Sequence, residues 1–89
     1  MPHILIRHKV RDFATWKPVY EDHRPAREAA GLRDLHLWQN ADDPTEVVIL
    51  FEAADADRAK EFATSPDLKA KMEEAGVVGA PDIVFLADA

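Results

Sequence analysis

The sequence predicts an α+β fold: one four-stranded antiparallel sheet with its helices packed on a single face. Three observations carry this. Hydrophobic periodicity switches between two and three-to-four residues in the order strand, helix, strand, strand, helix, strand. The strands are apolar on both of their sides. And 89 residues make room for one domain, spanning 1–89, with a thin core.

The elements follow in turn. His3 to Val10 alternates as a strand, with Ile4, Ile6, His8 and Val10 on one side and Leu5, Arg7 and Lys9 on the other. Asp12 is a good N-cap, since its carboxylate can accept from the free amides of a first turn. Phe13, Trp16, Tyr20, His23 and Arg27 then recur at helical spacing, and Gly31 closes the stretch. Pro25 lies inside it, so one long helix with a kink is expected there, with Arg24 pushed toward non-helical angles. Leu32 to Gln39 and Glu46 to Ala53 form two strands joined through the turn-rich Asn40-Ala41-Asp42-Asp43-Pro44. Asp55 caps a second helix carrying Ala56, Ala59, Phe62 and Ala63. Ser65-Pro66 breaks and restarts it, and Leu68 and Met72 continue the stripe to Gly76. Val77 to Asp82, holding Gly79 and Pro81, is expected to be a loop, and Ile83 to Ala87 the last strand. With right-handed crossovers this is the ferredoxin-like βαββαβ arrangement.

Strands of a half-exposed sheet should alternate apolar and polar residues. Val47-Val48-Ile49-Leu50-Phe51 and Ile83-Val84-Phe85-Leu86 do not. Helices cover one face, and the other would carry an apolar patch larger than a soluble monomer usually leaves exposed. The expectation is a homodimer through that sheet face.

Composition narrows the function. Eleven Lys and Arg stand against 17 Asp and Glu, for a formal charge of −6, which argues against a phosphate-backbone binder. No cysteine is present, so thiol nucleophiles and thiolate zinc sites are excluded. No apolar run approaches the roughly 18 residues of a membrane span, and no signal peptide is apparent, so a cytoplasmic location with no membrane partner is expected. Gly-rich phosphate loops, nucleophile elbows and dinucleotide fingerprints are absent, which removes kinase, hydrolase and Rossmann classes.

Three stretches carry a resemblance: Asp12-Phe13-Ala14-Thr15-Trp16-Lys17, His23-Arg24-Pro25-Ala26-Arg27 with Ala30-Gly31, and Asn40-Ala41-Asp42-Asp43-Pro44 leading to Glu46-Val47-Val48. With the element order and the two-sided strands, they make the chain similar to the dimeric α+β barrel superfamily, and within it to the small antibiotic-biosynthesis-monooxygenase-like and cyclase-like proteins. The resemblance spans nearly the whole chain. It implies the fold and the dimer, and it leaves the chemistry open, because the superfamily hosts cofactor-free oxygenases, isomerases, haem-degrading enzymes and proteins with no known activity. The Asn, Trp and His constellation of the haem-degrading branch is not recognisable here.

The candidate site rests on the residues themselves. His23 shares the inward stripe with Trp16 and Tyr20 beside the expected kink, where a pocket between helix and sheet would form, and an imidazole there suits a general base. A partly buried structural histidine fits the same pattern. His36 and Trp38 share one strand face. If that face coincides with the one carrying His8, then His8, His23 and His36 would converge beneath the first helix. Their spacing does not demand a metal, and a polar corner of an apolar pocket is the reading taken. Arg24 and Arg27 flank Pro25 and could clamp an anionic group, or simply pair with Glu28 or Asp22 on a solvated helix face. The site read from the sequence is therefore His23 and His36 as catalytic residues, with Trp16, Tyr20, Arg24, Arg27 and Trp38 binding substrate and no metal or cofactor. The function expected is a cofactor-independent monooxygenase or cyclase acting on an aromatic or polyketide-like small molecule. The alternatives are a non-catalytic, ligand-binding or stress-associated module, and a dimerisation scaffold with a collapsed interior.

Overall fold

Alternation in the first strand sets the layering. In the computed structural model, which describes residues 2–88, β1 (His3–Val10) buries Ile4, Ile6, His8 and Val10 and turns Leu5, Arg7 and Lys9 to the opposite face. It pairs antiparallel with β3 (Glu46–Ala53) on one side and β4 (Val77–Leu86) on the other, and β2 (Leu32–Gln39) pairs antiparallel with β3. The sheet order is β2-β3-β1-β4, the ferredoxin-like α+β arrangement that the sequence predicts.

Both helical stretches are divided in two. Asp12 caps α1 (Phe13–Asp22), accepting from the Ala14 amide at 3.3 Å and the Thr15 hydroxyl at 2.8 Å. A turn at His23 then separates it from α2 (Arg24–Ala29), which starts with Pro25 in its first turn. The expected single kinked helix is thus corrected to two helices. Proline lacks only an amide that a first turn leaves free, so the chain breaks one residue before Arg24 and Arg24 itself is helical. The second stretch breaks where Ser65-Pro66 predicts, into α3 (Ala56–Ala63), capped by Asp55, and α4 (Pro66–Glu74), capped by Ser65. Among the described residues no helix is long and apolar enough to cross a membrane.

The last strand is longer than expected: β4 begins at Val77, not Ile83. The register against β1 jumps from Arg7 opposite Asp82 to Lys9 opposite Val78, so the segment Gly79-Ala80-Pro81 spans the single residue His8. Gly79 takes the positive φ (+75°) such a bulge favours, and Pro81 is tolerated because β4 is an edge.

One face of the sheet packs beneath the helices, where Ile4, Ile6, Val47, Ile49 and Phe51 meet Trp16 and Ala59 in the core. The opposite face carries Leu5, Val48 and Leu50 in its centre, with Val84 opposite Leu5 and the exposed Trp38 opposite Val48. Arg7, ion-paired to Asp82 at 3.0 Å and Glu46 at 3.3 Å, edges this apolar band.

Candidate functional site

The inward faces of β1 and β3 form the floor of a cavity of about 60 Å³, roofed by residues of all four helices. His8 and Ile6 come from β1, Trp16 and Tyr20 from α1, His23 from the turn after it, and Arg27 from α2. Phe62 of α3 and Leu68, Lys71 and Met72 of α4 close the far side. Most of these groups are apolar, and the few polar ones divide into two sets.

The first set is fully paired. Arg27 is only 3% exposed and grips Asp34 with two hydrogen bonds, Nε to Oδ1 at 3.2 Å and Nη2 to Oδ2 at 3.0 Å. Its Nη1 donates to the Tyr20 carbonyl at 2.6 Å, and its guanidinium lies 3.9 Å over the Tyr20 ring. The Tyr20 hydroxyl donates to the same carboxylate at 3.1 Å, and Arg24 stands 3.6 Å away on the exposed side. Burial alone pushes Asp34 up, but the hydrogen bonds and charge of Arg27, with the Tyr20 hydroxyl, outweigh it and hold the carboxyl below its ordinary range. Burial pushes Tyr20 up to about 12, so its hydroxyl keeps its proton at neutral pH.

The second set is unpaired. His8 is 5% exposed, sits edge-on to Trp16 at 5.5 Å between ring centroids, and has no hydrogen-bond partner for Nδ1 among the described residues. Burial lowers its pKa to about 4, so the ring is neutral near pH 7. His23 stacks on Phe62 at 5.7 Å, and its buried Nε2 also finds no hydrogen bond. The Asp67 carboxylate lies 3.8 Å from that nitrogen, beyond hydrogen-bond length.

These positions sort the residues expected from the sequence. Trp16, Tyr20, His23 and Arg27 do line one cavity. His36 and Trp38 do not. They stack on each other at 4.8 Å on the opposite face of the sheet, across from Leu50 and Val48, and this corrects the expectation that they share a cavity with His23. The cause is a bulge in β2: Leu32 and Asp34 face the helices, the register shifts between Asp34 and His36, and beyond it Leu37 faces inward instead. A one-residue slip sends every later side chain to the other face. His8, His23 and His36 therefore do not converge, and among the described residues no cluster of three or more potential ligands is placed to hold a metal. The anion clamp expected of Arg24 and Arg27 is also corrected, because Asp34 occupies the Arg27 fork and Arg24 lies outside the cavity lining. The sequence reading missed Asp34 altogether. The only signal for it was an acid on the same strand parity as the buried Leu32.

No protein-family model matches the chain, and no curated protein does. Solved structures do. A candidate antibiotic biosynthesis monooxygenase from Bordetella bronchiseptica is similar over 99% of this chain and 96% of its own, with a TM-score of 0.80 at 14% identity. A candidate of the same name from Caulobacter crescentus CB15 gives 0.74 at 20% identity, covering 99% and 89%. A conserved protein from Methanosarcina mazei Go1 gives 0.75 at 12% identity, covering 99% and 92%. At these identities the likeness is one of fold, and it agrees with the ferredoxin-like arrangement that the sequence predicts.

Proposed function

We propose that this chain binds a small aromatic molecule in the cavity beneath its helices and acts on it as a cofactor-independent monooxygenase or cyclase, with His23 as general base. The observation that carries the reading is an apolar cavity holding two buried imidazole nitrogens, at His8 and His23, without a hydrogen-bond partner among the described residues. Protein interiors rarely leave such groups unpaired, because each costs stability. The names of the structural neighbours point the same way by analogy of fold. In the oxygenase form, His23 takes a hydroxyl or ring proton and the resulting anion reduces dioxygen. One oxygen atom becomes a ring carbonyl and the other leaves as water, so the phenol is oxidised to the quinone and itself supplies every electron and proton that dioxygen consumes. His8 is a weak base at a pKa of about 4, which suits it to hydrogen bonding more than to proton abstraction.

The test is oxygen uptake with a panel of phenols, wild type against His23→Ala. Uptake that falls at least a hundredfold in the variant, with the fold retained, supports His23 as base; unchanged uptake removes it. A second reading is favoured by the cavity's size. About 60 Å³ is well below the roughly 300 Å³ of ordinary ligand sites, as suits a module that binds a small molecule without turnover. Saturable binding with no oxygen uptake would select it.

The homodimer belongs to the same proposal. Trp38, Val84 and Val78 are 45–50% exposed, and all lie on the helix-free face with Leu5, Val48 and Leu50. A second copy laid sheet to sheet would cover them. Sedimentation should give about twice the 10.0 kDa chain mass, and Leu50→Asp should abolish the dimer. A wild-type monomer at micromolar concentration would contradict it.

A further inference from the structure

Resting on the reading of the cavity as a small-molecule site, we infer that His8 is its deep ligand-binding residue, with Nδ1 hydrogen-bonding the hydroxyl of a neutral, single-ring compound. Four observations converge on this. His8 sits between Ile6 and Val10 on the buried face of a central strand, where an aliphatic side chain would serve packing better. Its side chain lines the cavity, and its buried Nδ1 has no hydrogen-bond partner among the described residues. Trp16 packs edge-on against the imidazole and covers one side of it. The bulge of β4 falls at His8, so the residue has no pairing partner on that strand, and bulges are enriched beside sites because they re-aim a side chain.

The ligand's chemistry follows from what surrounds the cavity. The Arg27 cation is neutralised by Asp34, and Lys71 at the wall pairs with Glu74 at 3.4 Å. Arg27 is not free for an anion and Lys71 is a solvated cation at the cavity edge, so a carboxylate placed deep beside His8 would enter at the full cost of its desolvation. A hydroxyl suits a neutral imidazole in either tautomer, since it can donate and accept. Trp16 and Phe62 give flat apolar walls for a ring. At about 60 Å³ the cavity is smaller than the roughly 150 Å³ void that holds a benzene, so the guest is at most one ring and enters only as the flexible Met72 and Lys71 side chains at the half-exposed edge swing aside.

Phenol, toluene and benzoate serve as probes, titrated by NMR into wild type, His8→Leu and His23→Ala. In wild type phenol should bind at least tenfold more tightly than toluene and benzoate, and shift the His8 Nδ1 resonance. His8→Leu should reverse the order of phenol and toluene, while His23→Ala should keep it. Toluene or benzoate binding as tightly as phenol in wild type overturns the inference, as does a phenol preference that survives His8→Leu. The wild-type comparison stands even if a variant fails to fold. Phenol preference without oxygen uptake would sustain His8 and remove the turnover reading. Failure of every ring to bind would remove both.

Discussion

Two polar clusters meet in one small cavity and are built in opposite ways. Around Asp34, Arg27 fills both carboxylate oxygens, Tyr20 adds a third hydrogen bond, and the remaining guanidinium nitrogen reaches the Tyr20 carbonyl. Around His8 and His23, two buried nitrogens have no hydrogen-bond partner among the described residues. The first cluster ties the start of β2 to α1 and α2 and has little bonding capacity left for a ligand. The second packs its rings against Trp16 and Phe62 but leaves its hydrogen-bonding capacity free. The difference teaches that charge alone is a poor guide to a site: the arginine that looked like a substrate clamp is part of the scaffold, and His8, left out of the site read from the sequence, is the better candidate for contact with a ligand.

The largest effect expected from breaking this contrast is at Asp34. Asp34→Ala leaves the Arg27 guanidinium buried and uncompensated, so urea denaturation should show a loss of about 3–5 kcal/mol. Asp34→Asn should lose less, because an amide still accepts from Arg27. A loss under about 1 kcal/mol would mean that the pair is not part of the scaffold.

Acid should act on the other cluster. The folded pKa of His8, about 4, lies below the ordinary 6.5, so the unfolded chain takes up the proton first. Stability from this residue is complete above pH 6.5 and is lost as pH falls toward 4, by on the order of 2–3 kcal/mol. His8→Leu should flatten that window and, at pH 7, raise stability by about 1–2 kcal/mol by removing an unpaired buried group. An unchanged pH slope in His8→Leu would assign the acid sensitivity elsewhere.

The smallest effect is at Pro25, between His23 and Arg27 in sequence. At an interior helix position Pro25→Ala would stabilise the chain, but in the first turn of α2 the proline costs nothing and restricts the unfolded state. Pro25→Ala should therefore lower stability, by about 0.5 kcal/mol. A clear rise in melting temperature would contradict the helix break at His23.

What the sequence reveals follows from how local each feature is. Caps at Asp12, Asp55 and Ser65 and the alternation of β1 are written within a few residues, and the fold could be read from them. Trp16, Tyr20, His23 and Arg27 share a stripe that survives the break at His23, so one side of the cavity was legible too. The bulges were not. Both belong to strand pairing: β2 carries no local sign of its bulge, and in β4 Gly79 and Pro81 read equally well as a loop. In β2 the shift after Asp34 carries His36 and Trp38 out of the cavity, and in β4 the Gly79–Pro81 bulge turned an apparent loop into ladder. The Asp34–Arg27 pair was hidden for a related reason, since it depends on how the start of β2 docks against α2.

The central claim is that His8 is buried, neutral and unpartnered in the cavity. Imidazole NMR of the protein, followed from pH 8 down to pH 3.5, tests it directly. The account predicts that His8 stays neutral through pH 6 and titrates near 4, if the protein remains folded that far. A midpoint near 6.5 in the folded protein would contradict the account, because it would show a ring that reaches solvent or a compensating carboxylate.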